Sequence, residues 1–224
     1  MKVLKIFNSI QGEGLNTGLP TVFVRLAGCD LMCSYCDTKE SWFTSNSKIM
    51  TLEEVYNEVQ SRTTSGGCVC ITGGEPLLQK EEVSMLCALL ARDDLNVEIE
   101  TNGKVPLDDF VRHGATIVMD IKCPSSGVKL DYEFSVKQMS YLSDKDMVKF
   151  VVEDKEDLDY MISVLKIASL YIKLPNIIVS PVYHNNKPSP VLKDIIDLIR
   201  SNLKDDICSR IRLGLPLHKI IEVE

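Results

Sequence analysis

The chain contains no apolar run approaching the ~20 residues that cross a bilayer. Its opening, MKVLKIFNSIQGEG, lacks the apolar core and small-residue cleavage site of a secretory signal. A membrane partner is therefore not expected, and the expected compartment is the cytoplasm. Positive charge is not in surplus: 25 Lys and Arg stand against 32 Asp and Glu, a net charge of −7. A broad nucleic-acid-binding face would be basic, so no nucleic-acid partner is expected, although a small basic pocket is not excluded. The sequence also lacks internal repeats, low-complexity stretches, a second C-x-x-C and any close histidine pair.

What is present suits one globular unit. The chain has 224 residues and is 45% hydrophobic. At this size roughly two-thirds or more of the extended-chain surface can be buried, so neither metal nor disulfide is needed for folding. Short β-rich runs alternate with helical patterns. Candidate strands are Thr21–Leu26, Cys68–Thr72, Val97–Thr101, Thr116–Ile121, Met147–Val152, Ile177–Pro181 and Ile211–Leu215. Most read as apolar on both faces, as buried parallel strands do. Thr51 with Glu54 forms a capping box before Leu52, Val55, Tyr56 and Val59. Val83, Leu86, Cys87 and Leu90 make a second helical stripe. Asp154 caps a helix facing inward with Leu158, Met161, Ile162 and Leu165. Ser189-Pro190 starts another, with Leu192, Ile195, Ile196 and Ile199 inward. The alternation gives an α/β fold with a parallel sheet. Six or seven units are fewer than the eight of a closed barrel, so a partial (β/α) barrel and a doubly wound sheet both fit.

Three of the eight cysteines crowd into Gly28-Cys29-Asp30-Leu31-Met32-Cys33-Ser34-Tyr35-Cys36-Asp37-Thr38, directly after the first predicted strand. The C-terminal end of a parallel strand is where active sites form. Three thiolates on one loop can hold three irons of a cubane cluster and leave the fourth open to a ligand. Zinc would want four protein ligands, usually from two separated pairs. A redox C-x-x-C would leave Cys29 unexplained. Thr72-Gly73-Gly74-Glu75-Pro76 follows the next predicted strand, and its glycines let backbone approach a ligand closely or simply make a tight turn.

Cys-x3-Cys-x2-Cys with an aromatic before the last cysteine resembles the signature of radical S-adenosylmethionine proteins. That resemblance implies a 4Fe–4S cluster on Cys29, Cys33 and Cys36, with the open iron chelating S-adenosylmethionine. The cofactor carries the hard chemistry and the protein positions it. Phe7-Asn8-Ser9-Ile10-Gln11-Gly12-Glu13-Gly14, Val22 through Cys29, Cys36-Asp37-Thr38, Thr72 through Leu77, Glu100-Thr101-Asn102-Gly103, Lys122 through Gly127 and Leu217-His218-Lys219 together resemble the 7-carboxy-7-deazaguanine synthase family. The resemblance spans essentially the whole chain. It implies ring contraction of 6-carboxy-5,6,7,8-tetrahydropterin with loss of ammonia, a carbon–nitrogen lyase reaction serving queuosine or archaeosine in transfer RNA. It further implies Mg²⁺, a flavodoxin- or ferredoxin-type electron donor, a homodimer and a partial (β/α) barrel. The chain then reads as one domain, 1–224, with residues 1–20 as a substrate-binding extension.

Carried over by position, the resemblance places Ile10, Gln11, Gly12, Glu13, Arg25, Thr72 and the terminal carboxylate of Glu224 at the pterin. Glu13 accepts hydrogen bonds from its guanine-like edge. Arg25, inside an apolar strand, needs an anion, which is either the substrate carboxylate or a structural Asp or Glu. Thr38 is the expected Mg²⁺ ligand. Tyr35, Cys36, Asp37, Gly74, Glu75, Asp120, Ile121, Lys122, Ser180, Pro181, Val182 and Tyr183 fall on the S-adenosylmethionine side. Some relatives have other residues at Asp120 and Ile121.

Cys68 and Cys70 share a strand face and read as packing, as do Cys87, Cys123 and Cys208. His113 and His184 read as loop or surface residues, and Trp42 as a cover for the cysteine loop. Two other readings stay open at this point: a glycyl-radical activase, which shares the cysteine loop and the Gly-Gly-Glu-Pro turn, and a non-enzymatic zinc protein.

Overall fold

The parallel strands β2 (Pro20–Leu26), β4 (Cys68–Gly73), β5 (Asn96–Thr101), β6 (Thr116–Ile121), β7 (Met147–Val152), β8 (Asn176–Pro181) and β11 (Ile211–Leu213) neighbour each other in chain order. The structure, a computed structural model, describes residues 1–64, 66–129, 131–184 and 187–223, without the side chains of Leu192, Lys193 and Leu198. A doubly wound sheet reverses strand order at a switch point. Here the order does not reverse, so successive crossovers lay their helices on one face. The edge strands β11 and β3 (Lys48–Ile49) are not neighbours, so the sheet stays open as a partial barrel. β9 (Tyr183–His184) and β10 (Lys187–Pro188) form a separate small pair.

Besides the two-residue strands β3, β9 and β10, one long strand lies outside the sequence expectation. β1 (Lys2–Ile10) extends the sheet antiparallel to β2, with Phe7 opposite Phe23. Its burial alternates only loosely, which is why KVLKIFNSI carries a weak period-2 signal.

The strands have two unlike faces. Val22, Val24, Leu26, Val69, Ile71, Ile99, Ile117, Met119, Ile121, Val148, Phe150, Val152, Ile177 and Val179 share one buried core cluster. Facing them in that cluster are Val55 and Val59 of α1 (Leu52–Arg62), Val83, Leu86 and Leu90 of α2 (Lys80–Arg92), and Leu158, Met161 and Leu165 of α4 (Lys155–Ala168). The intervening registers look into the barrel. They carry small apolar clusters (Phe7, Phe23, Cys70 and Val118, Met147, Ile178) and a ring of polar side chains. The expectation of strands apolar on both faces is thus corrected, because the inner face of an open barrel lines a cavity.

Helix starts follow their caps. Thr51 accepts from Glu54 N at 3.2 Å while Glu54 accepts from Thr51 N at 2.7 Å. Asp154 accepts from Asp157 N at 3.0 Å. The expected start at Ser189-Pro190 is corrected: α5 (Leu192–Asn202) starts after Val191, and the Ser189 hydroxyl donates to the Glu153 carbonyl while accepting from Val191 N at 3.5 Å. On that helix Ile195 and Ile199 are buried, but Ile196 is 53% exposed, and the Leu192 side chain lies outside the described residues. The shorter helices α3 (Tyr132–Met139), α6 (Asp205–Cys208) and α7 (Leu217–Ile220) have too few turns to show periodicity.

Candidate active site

A cavity of about 370 Å³ opens at the C-terminal ends of the parallel strands, where α/β folds place their chemistry. The loop after β2 brings Cys29, Cys33 and Cys36 to its wall. Backbone bonds hold that loop: Gly28 N to Ser41 O at 2.8 Å, Cys29 N to Trp42 O at 3.1 Å, and Ser34 N to Ser126 O at 2.9 Å. Burial pushes the Cys29 and Cys33 thiols up, while Lys122 works against this at Cys33. The donor set fits an open-iron cluster better than a structural zinc site, because one loop offers three cavity-facing thiols where zinc takes four protein ligands.

The buried Tyr35 hydroxyl, Asp120 Oδ1 and Ser180 Oγ also line this cavity, and none has a hydrogen-bond partner among the described residues. Buried polar groups are normally satisfied. Three such atoms beside the thiols therefore fit a polar, hydrogen-bonding cofactor. Asp120 Oδ2 accepts from Lys122 Nζ at 2.6 Å. Asp37, Gly74, Pro181, Val182 and Tyr183 lie on the same wall, and Thr38 donates to Asp37 Oδ1 at 3.1 Å.

Two expected cofactor residues sit differently. Ile121 points its side chain into the helix-side core, since its neighbours Asp120 and Lys122 take the inward registers. Glu75 is fully buried away from the cavity wall. Its oxygens accept from Leu77 N at 2.9 Å, Thr101 Oγ1 at 2.8 Å and Asn102 N at 2.7 Å. Any ligand contact at this turn falls to the backbone of Gly73 and Gly74. Those glycines also have a packing reason. A Cβ on Gly73 would lie 2.1 Å from Leu26 O, and one on Gly74 2.2 Å from Gly28 O.

The N-terminal segment supplies the opposite wall. Ile10, Gln11, Gly12 and Glu13 line the cavity with Arg25 and Thr72. The Arg25 guanidinium lies 5.1 Å from the Phe7 ring, which stacks on Phe23 at 5.2 Å. No carboxylate pairs with Arg25 among the described residues. Thr72 Oγ1 donates to Glu100 Oε2 at 2.8 Å. Glu224 lies outside the described residues.

Sequence reasoning missed four groups here. Glu98, Glu100 and Lys149 stand at inward strand registers, and His218 comes in on α7. Leu217 N bonds Gly12 O at 2.8 Å, which seats α7 on the Gln11–Glu13 loop, and Lys219 reaches Asp37 at 3.2 Å. Burial lowers the His218 pKa. The signal for the strand residues was charge within apolar strands: Glu98 and Glu100 two apart in NVEIET, and Lys149 alone in MVKFVV. Cys70 lies beside Glu98 and Glu100 on the inner face, whereas Cys87 and Cys123 pack in the helix-side core. His113 and His184 are exposed, and Trp42 lines the cavity beside the cysteine loop.

Residues 23–174 match the Radical SAM superfamily. A 7-carboxy-7-deazaguanine synthase of Methanospirillum hungatei is 46% identical over 82% of this chain and 73% of that protein. The synthases of Koribacter versatilis and Clostridium acetobutylicum are 35% and 37% identical, over 99% and 98% of this chain and 96% and 95% of theirs. The crystal structure of QueE from Escherichia coli shares the fold, with a TM-score of 0.71 over 95% of this chain and 92% of that one at 21% identity. The superfamily match removes the zinc-protein reading, and the cluster and S-adenosylmethionine are its cofactors. Site, sequence and fold agree: the chain belongs to the radical SAM superfamily and, within it, to the 7-carboxy-7-deazaguanine synthase family.

Proposed function

We propose that this enzyme converts 6-carboxy-5,6,7,8-tetrahydropterin to 7-carboxy-7-deazaguanine as a carbon–nitrogen lyase, releasing ammonia. The observation that carries this reading is Arg25: a guanidinium in the cavity, steadied over Phe7, with no carboxylate of the described chain beside it. A carboxylated ligand completes it by a forked hydrogen-bond pair. Bound at Cys29, Cys33 and Cys36, the cluster and S-adenosylmethionine supply a hydrogen-abstracting carbon radical. The chain's own residues bind and orient. Arg25 holds the carboxylate, Glu13 accepts from the ring N–H and amino groups, and the backbone of Ile10 through Gly12 closes over the ring. Tyr35, Asp120 and Ser180 offer their unpartnered polar atoms to the cofactor. Thr38, next to Asp37, takes one position on Mg²⁺, which keeps most of its waters.

The chemistry requires a one-electron reductant, here a flavodoxin- or ferredoxin-type protein. We further take residues 1–20 as the substrate-binding part of one domain, 1–224. The enzyme works as a cytoplasmic homodimer, and no helix of the described residues is long and apolar enough to cross a membrane. The decisive experiment incubates reconstituted, dithionite-reduced protein anaerobically with S-adenosylmethionine, Mg²⁺ and the carboxy-tetrahydropterin, with mass spectrometry of the products. 7-Carboxy-7-deazaguanine should form without net loss of S-adenosylmethionine. Formation of 5′-deoxyadenosine without that product would move the substrate elsewhere within the superfamily.

A further inference from the structure

Lys149 stands on β7 with its ammonium donating to Glu13 Oε2, across 136 positions of sequence. Strand register sets it beside Asp120, and both line the cavity. Burial alone would favour the neutral amine, but Glu13, Asp120 and Glu100 outweigh it and keep Lys149 charged. An ammonium carries three donors, and Glu13 takes one. The inner wall therefore presents an acceptor and a donor side by side, both partly buried.

We propose that Lys149 is a specificity-determining residue that reads the ring carbonyl of the ligand. The inference rests on the reading of Glu13 as the acceptor for the pterin edge. A 2-amino-4-oxo ring offers, in sequence, an amino donor, an N–H donor and a carbonyl acceptor. The Glu13 carboxylate can satisfy the two donors. The third group falls next to the oxygen that Lys149 already holds, and an ammonium is the complement of a carbonyl. A site built around such a bond rejects a ligand that cannot make it, because its own polar group is then left unpaired. The substrate and the deazaguanine product share this edge, so the stable product can probe it.

The test titrates cluster-reconstituted enzyme containing S-adenosylmethionine with 7-carboxy-7-deazaguanine and with its thioxo analogue. The analogue replaces only the ring carbonyl oxygen by sulfur, a weak acceptor, and keeps the N–H and amino donors. The wild type should prefer the oxo ligand, and Lys149→Met should lower that preference by about tenfold, as expected for one lost hydrogen bond to a charged donor. Lys149→Arg, which keeps a cationic donor, should restore most of it. Iron per chain and the circular dichroism spectrum check that each variant is folded and loaded. Equal weakening of both ligands in Lys149→Met would overturn the proposal, leaving Lys149 as a support for Glu13. An unchanged preference would overturn it as well. If loaded wild type binds neither ligand, the synthase reading fails and the inference falls with it.

Discussion

Glu98 accepts a hydrogen bond from the Gln11 side-chain amide at 2.6 Å, joining β5 to a loop 87 positions earlier in the chain. Its second oxygen accepts from Asn16 Nδ2 at 2.9 Å, and Gln11 Oε1 in turn accepts from Glu13 N at 3.2 Å. One buried carboxylate thus shapes the loop that carries Gln11, Gly12 and Glu13 into the cavity.

Removing that carboxylate should loosen the loop more than it harms the cluster. Glu98→Ala should raise KM for the pterin more than it lowers kcat, and cost about 1–2 kcal/mol of stability by orphaning the Asn16 amide and leaving Gln11 only its 3.4 Å bond to Glu100. Steady-state kinetics and urea unfolding measure both. Burial, with Glu100 adding to it, pushes Glu98 up to about 8. A raised carboxyl pKa means that the folded state holds its proton longer. The stability from this group is greatest below the ordinary glutamate value of about 4.3 and declines as pH rises to about 8. Wild type should therefore lose stability relative to Glu98→Gln across that window. A pH-independent difference would show that Glu98 does not titrate there.

Glu75 should behave as a structural residue. Glu75→Ala strips an acceptor from Leu77 N, Thr101 Oγ1 and Asn102 N and should cost about 3 kcal/mol. The reading is wrong if the variant keeps its unfolding midpoint but loses S-adenosylmethionine affinity, because the carboxylate would then work at the ligand.

The eight cysteines should divide by the face they occupy. Alanine at Cys29, Cys33 or Cys36 should abolish stable cluster loading, read as iron per chain. Cys87→Ala should keep full iron and lose about 1 kcal/mol, since Cys87 lies on the buried face of α2.

Arg25→Lys keeps the charge but not the planar fork. It should raise KM for the carboxylated substrate by ~10- to 100-fold while leaving iron content unchanged. An unaltered KM would show that the substrate carboxylate binds elsewhere.

Asp146 is fully buried and gathers Ile117 N at 2.9 Å, the Ser143 amide and hydroxyl at 2.7 Å each, and Arg112 at 2.5 Å. Burial works to raise its pKa, but these donors outweigh it and hold the carboxyl below the usual aspartate range. Stability from Asp146 is present above the ordinary value of about 3.9 and is lost as pH falls through its lowered folded value. Asp146→Ala should cost about 3–5 kcal/mol near neutrality and flatten the acid-unfolding curve.

The cysteine spacing, the glycine turn after β4 and the strand–helix alternation are local patterns, so they were legible in the sequence alone. So were the Thr51 and Asp154 caps, because a cap and its acceptor lie within one helical turn. The family resemblance named Arg25, Glu13 and the cofactor residues from the same kind of local signature. Ile121 shows the limit of such signatures: a run of three consecutive residues on a strand must alternate between faces, and its side chain enters the core.

What only the tertiary structure decided is pairing across distance. The order of strands, which chose an open barrel over a doubly wound sheet, depends on which edges meet, and hydrophobic periodicity carries no such information. The same holds for Lys149 with Glu13, Glu98 with Gln11, and α7 against Gly12. A charge inside an apolar strand states that it needs a partner in a low-dielectric place. Which partner it finds is set by strand register and barrel curvature, and those exist only once the chain has folded.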